Sequence, residues 1–233
     1  MSRSIPVSNS SNPAKRWFEW DGEKGSIRYY DKALKKNVFI GDKFNFLLLE
    51  EMSVIKGWHD PSQSGITSNE VRSIRDEKLL VKSFEGGMIA EGFYADIKEK
   101  VNNAGGHYTA NLYVAFKDKD GILTLGSLQL KGGGLNAWVE FSKKNRNQLY
   151  SGSISIEGSD EGKKGRVIFK TPKLFIRETD PETDEAAKAI DRELQKYLER
   201  YLTGSHKPEH QQQPEQRKEQ STGLELEEDD IPF

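Results

Sequence analysis

A mainly β fold, an antiparallel barrel with short inserted helices and a long C-terminal helix, is what the sequence predicts, on three observations. His107 to Lys117 alternates, with Tyr108, Ala110, Leu112, Val114 and Phe116 on one face and Thr109, Asn111, Tyr113 and Ala115 on the other, the period of two that belongs to a strand. The turn Asp118-Lys119-Asp120-Gly121 joins that strand to Ile122–Leu130 as an antiparallel hairpin, by the preference of tight hairpins for Asp-Gly. Asp180 to Leu202 changes period: Ala186, Ala187, Ile190, Leu194, Tyr197, Leu198, Tyr201 and Leu202 form one helical stripe.

Taken in order, Trp17, Phe18 and Trp20 lead to a turn at Asp21-Gly22, then Ile27–Tyr30, a basic link through Lys32, Lys35 and Lys36, and Val38–Ile40. These aromatic and β-branched runs between turn residues read as short strands. A long extended segment, Phe44 to Trp58, follows, with Glu50-Glu51 and Gly57 as places to bend. Asp60–Gly65 reads as a loop, Thr67–Arg75 is ambiguous, and Leu79–Phe84 is a strand. After Gly86-Gly87 the pattern becomes helical, with Phe93, Ile97 and Val101 four apart and Gly105-Gly106 at the end. Gly132-Gly133-Gly134 opens a second short helix carrying Leu135, Trp138, Val139 and Phe141, and strands return at Leu149–Ile156, Arg166–Lys170 and, after Pro172, Lys173–Arg177. Thr179 or Asp180 caps the final helix, Pro181 takes its first position and Gly204 ends it. Its apolar stripe must be buried on the barrel or on a second subunit, so a homo-oligomer is one outcome. The organisation expected is a flexible lead-in (1–14), a barrel domain (15–178), the packed helix (179–204), a disordered Gln- and Pro-rich linker (205–224) and an acidic tip (225–233).

The charge is divided along the chain. The whole carries −2 over 233 residues, but Ser205–Phe233 carries −5 and the remainder +3. A mildly basic body with an acidic tail suits a polyanion-binding domain. No cysteine is present, which removes disulfide and thiolate chemistry and fits a reducing cytoplasm. No run approaches the ~20 apolar residues of a spanning helix. Of four histidines, His206 and His210 fall in the linker, and His59 and His107 sit in no metal-binding pattern. Catalysis, a metal and a cofactor are therefore not expected. The triple glycine lacks the ending of a phosphate-binding loop and reads as a tight turn into a helix.

Aromatic and basic residues on open strand faces are the features that bind single strands, because bases stack on rings while Lys and Arg follow the phosphates. The candidates are Trp17, Arg28 with Tyr30, Lys36, Trp58, Arg72 with Arg75, Lys82, and Tyr113 among its polar face-mates Thr109 and Asn111. The end of the chain is more specific. Glu225, Glu227, Glu228, Asp229 and Asp230 run into Ile231-Pro232-Phe233. A phenyl ring, a terminal carboxylate and steering acids on a tether make a portable ligand for a partner's pocket.

Asp229-Asp230-Ile231-Pro232-Phe233 resembles the tail tip of bacterial single-stranded DNA-binding proteins, and acidic tails ending in Phe also occur in their bacteriophage counterparts. The resemblance implies a divergent OB-fold of bacteriophage type, acting in the host cytoplasm. It implies a barrel that binds single-stranded DNA without sequence preference, and a tip that recruits replication, recombination and repair proteins. The rival readings are an annealing protein that also takes duplex, and an adaptor that binds no nucleic acid.

Overall fold

The structure, a computed structural model, describes residues 12–204. Residues 1–11 of the lead-in, the linker and the tip with Asp229, Asp230, Ile231, Pro232 and Phe233 lie outside the described residues. Among those described are eleven strands and three α-helices. β1 (Arg16–Asp21), β2 (Ser26–Asp31) and β3 (Lys36–Gly41) form a meander. β3 passes through Asp42 alone into the 17-residue β4 (Lys43–His59). β5 (Ser64–Thr67), β6 (Leu79–Ser83) and β7 (Gly87–Gly92) follow, then α1 (Tyr94–Asn103), β8 (Gly106–Lys117), β9 (Leu123–Leu130), α2 (Gly132–Lys144), β10 (Ser153–Lys164), β11 (Val167–Arg177) and α3 (Pro181–Thr203).

The sheet runs in the order β3-β2-β1-β9-β8-β4-β5-β6-β7, with β10 and β11 branching from the start of β4. Because β3 continues into β4, this path bends back on itself, and Phe18 of β1 meets Phe44 of β4 and Phe116 of β8 across the enclosed core, with ring centroids 4.7 and 4.8 Å apart. The architecture is the mainly β, OB-like barrel layout that the sequence predicts. It is a mixed sheet, since β1 runs parallel to β9 while every other named pair is antiparallel.

The bend in β4 has a local cause. Its register against β8 shifts between Leu48 and Glu50, and an extra residue in one strand reverses which residues point inward. Phe44, Phe46 and Leu48 face the core before the shift, and Ile55 faces it afterwards. At the far end Gly57 is obligatory, because a Cβ there would lie 2.0 Å from the Gly105 carbonyl oxygen. α2 closes the core with Trp138, Leu135 and Val139, and its glycines allow close approach: a Cβ on Gly133 would meet Phe169 and Thr171 at 2.9 Å.

Three elements differ from expectation. β5 and β7 are strands where a loop and the approach to a helix are expected, since each needs only a neighbouring strand to pair with. Arg166–Lys170 and Lys173–Arg177 are one strand, and Pro172 is tolerated because β11 pairs with β10 alone and Pro172 lies opposite a register shift. α3 packs on the barrel itself. Leu194, Tyr197, Leu198 and Ala187 form a second apolar cluster with Leu49, Met52, Tyr113, Ala115 and Leu125 on the outer face of β4, β8 and β9. Asp180 caps it by accepting from the Thr183 backbone N–H at 2.8 Å.

Candidate nucleic-acid interface

Strand alternation and register define one continuous outer face. Trp17 on β1 stands beside Ser127 on β9, Ser127 beside Tyr113 on β8, and Tyr113 beside Glu50 on β4. From Glu50 the same face continues along β4 through Met52, Val54 and Lys56 to Trp58, because successive side chains alternate. On the other flank Glu19 pairs with Arg28 and Phe18 with Tyr29, which sets Trp17 across from Tyr30. Arg28 in turn pairs with Phe39.

Two groups of expected residues are brought together at opposite flanks of this face. On the first, Trp17 is half-buried against the α3 cluster, and Tyr30, also half-buried, is its cross-strand neighbour. Phe39, which sequence reasoning missed, joins them, with the Lys24 ammonium 3.8 Å over its ring. On the second, Lys56 pairs with Thr67 and Thr67 with Lys82, so half-buried Lys82 shares a face with Trp58. Trp58 pairs with Gly65, and a Cβ on Gly65 would lie 2.9 Å from the ring of Phe84, which places a second unforeseen aromatic on that flank. The Trp58 indole N–H has no hydrogen-bond partner among the described residues.

Five expected residues sit otherwise. Tyr113 is fully buried and offers no ring to a base. Its hydroxyl donates to Glu70 Oε2 at 2.8 Å and accepts from Asn12 Nδ2 at 2.7 Å. The polarity of Thr109 and Asn111 suggested an open face, but α3 requires an apolar landing surface, and Tyr113 lies beneath it. Arg28 is 7% exposed, between Asp21 at 3.2 Å and Glu19 at 3.3 Å. Those acids alternate on β1 opposite Arg28, and that signal is present in the sequence. Arg72 is exposed but tied to Glu50 at 3.3 Å and to Gln195 of α3 at 3.1 Å, so it braces the helix. Arg75 is exposed on the following turn, and Lys36 is exposed at the start of the edge strand β3.

Between the flanks lies a polar network. Asn111 Nδ2 donates to Glu70 Oε1 at 3.0 Å, Ser127 donates to Asn111 Oδ1, and Tyr201 of α3 accepts from the Glu70 backbone N–H at 2.8 Å. Burial raises the Glu70 carboxyl above the ordinary range, with the Tyr113 hydroxyl and Lys56 acting against it. Burial likewise lowers the Lys56 ammonium, opposed by Glu70 and Glu19, and Lys56 Nζ donates to Thr67 Oγ1 at 3.0 Å. Such a network fixes the seat of α3, because a buried charge left unpaired is costly.

Comparison with protein-family models, with curated proteins and with solved structures finds no match. Among the described residues no helix is long and apolar enough to cross a membrane, and no group of three or more His, Asp or Glu is gathered as a metal ion requires.

Proposed function

We propose that the protein binds single-stranded DNA on the flanks of the barrel's outer face that α3 leaves uncovered and recruits replication, recombination and repair proteins through its acidic C-terminal tip. The observation that carries the reading is that face. Trp17, Tyr30 and Phe39 on one flank and Trp58 and Phe84 on the other are interspersed with Lys24 and Lys82. Rings receive stacked bases of any identity and ammonium groups follow phosphates, so the expected binding is tolerant of sequence and sensitive to salt. The barrel layout adds support, since OB-type barrels bind oligonucleotides on a strand face. Asp229-Asp230-Ile231-Pro232-Phe233 supports the second half of the reading by its composition, an acidic run leading into two apolar side chains around a proline.

The test is a pair of variants, Trp17→Ala and Trp58→Ala, titrated with oligo-dT. Each stacked base contributes ~1–3 kcal/mol in single-strand binders, so each variant loses about 5- to 150-fold in affinity. Unchanged affinity in both, with the fold intact, overturns the assignment of the face.

A further inference from the structure

The β10–β11 hairpin supplies a feature outside that face. β10 pairs with β4 only from Ile154 to Glu157, but the hairpin continues from Ser159 opposite Pro172 to Lys164 opposite Val167. Beyond Glu157 the two strands therefore form an arm. Its base is fixed to the barrel: the Lys170 backbone N–H donates to the Gly22 carbonyl at 2.7 Å, and the Trp20 indole N–H donates to the Lys170 carbonyl at 2.9 Å.

The two faces of the arm differ. Phe169 stands opposite Gly162 and lies against Gly133 at the start of α2, so that face is turned toward the body. Glu161 opposite Lys170 and Lys163 opposite Ile168 make up the other face, whose base rests on the β1–β2 turn, where half-buried Lys170 and Ser159 lie against Gly25, while Arg166 is exposed in the hairpin turn. Ile168 is 57% exposed, an apolar side chain left open among cations. Neither Lys163, Arg166 nor Lys170 has a carboxylate within ion-pair distance among the described residues, whereas Lys173, nearer the base, is held by Asp160 at 2.7 Å. Lys170 Nζ reaches the Lys24 carbonyl at 3.4 Å, and Lys24 covers Phe39. The arm is thus continuous with the aromatic flank of the outer face.

We propose that this arm is a second nucleic-acid contact, a clamp in which Lys163, Arg166 and Lys170 hold the phosphates of a strand that leaves Trp17, Tyr30 and Phe39 by way of Lys24. The proposal rests on the single-strand reading above and extends its track. An anchored hairpin is suited to the task because its cations keep a fixed geometry without using the aromatic face. Glu161 is the one acid on the presenting surface and is outnumbered there.

The test measures oligo-dT affinity of the 233-residue chain against salt concentration for wild type, for Lys163→Ala/Arg166→Ala, and for Lys98→Ala/Lys100→Ala on α1, whose apolar side is packed into the inner core. Each lost phosphate contact lowers the slope of log K against log salt by ~0.7 for single strands. The arm variant is expected to lose about 1.4 from the slope while the α1 variant keeps the wild-type value. Wild-type binding with an unchanged slope in the arm variant overturns the clamp and leaves the outer-face reading standing. An equal fall in both variants also overturns it, by showing a general charge effect. Absence of wild-type binding to oligo-dT fails the single-strand reading itself, and the clamp with it.

Discussion

Leu194→Ala probes the seat of α3. Leu194 is fully buried among Tyr113, Met52, Leu49 and Leu125, so truncation removes a side chain from the middle of the helix-to-barrel contact. Fully buried Leu→Ala changes cost ~2–5 kcal/mol, the spread reflecting how far the site collapses. One helix layer over a sheet yields more readily than a barrel interior, which puts the expected loss at about 3 kcal/mol. The better helix propensity of Ala returns at most about a few tenths of a kcal/mol and does not change the sign. Urea unfolding of the variant should show a reduced midpoint, and amide exchange should accelerate through 181–203 before it does so in β8 and β9, because α3 is the outer layer. A loss below about 1 kcal/mol, or unchanged exchange in α3, refutes the packing of the helix on this face.

Other outcomes follow from particular contacts. Tyr113→Phe should cost ~1–3 kcal/mol of stability by removing the hydroxyl from Glu70 Oε2 and Asn12 Nδ2, yet leave oligo-dT affinity unchanged, as titration will show. Glu51→Gln tests a buried carboxyl: burial raises it above the ordinary range, the Trp138 indole offsets part of this, and Glu50 adds to it. A raised native value means that the native state holds the proton more tightly, so wild-type stability falls as pH rises from the ordinary carboxylate range of the unfolded chain through the higher native value. The Gln variant should therefore melt higher than wild type at neutral pH, with the gap closing in acid. Gly57→Ala should fail to yield native protein by circular dichroism, since backbone stands where the methyl group must go. Phe233→Ala should retain oligo-dT affinity while abolishing capture of replication and repair proteins from solution by the Asp-Asp-Ile-Pro-Phe segment.

The fold was legible wherever a single strand or helix declares its own period. β8, β9 and α3 follow from alternation, an Asp-Gly turn and a capped stripe, and all three are present at nearly the expected bounds. β5 and β7 were not, because Ser64–Thr67 and Gly87–Gly92 become strands through their partners rather than through their own composition. The candidate face was only partly legible for a related reason. Alternation assigns Tyr113 to the outer face correctly, but what covers that face is α3, some 80 residues further along. Arg28 looks like an open cation only apart from Glu19 and Asp21 on the adjoining strand, which hold it in place. Phe39, Phe84 and the β10–β11 arm acquire meaning only from cross-strand register, which one sequence does not disclose.

A preference of this barrel for single strands over duplex is tested by a fluorescence titration of the 233-residue chain with oligo-dT and, separately, with duplex DNA. Trp17 and Trp58 lie on the proposed face while Trp20 and Trp138 are buried. Oligo-dT should therefore quench part of the tryptophan emission, with an affinity that falls steeply with salt. Duplex should bind far more weakly. Equal or tighter binding of duplex contradicts the account in favour of an annealing protein, and binding of neither leaves the chain as an adaptor that works through its tail alone.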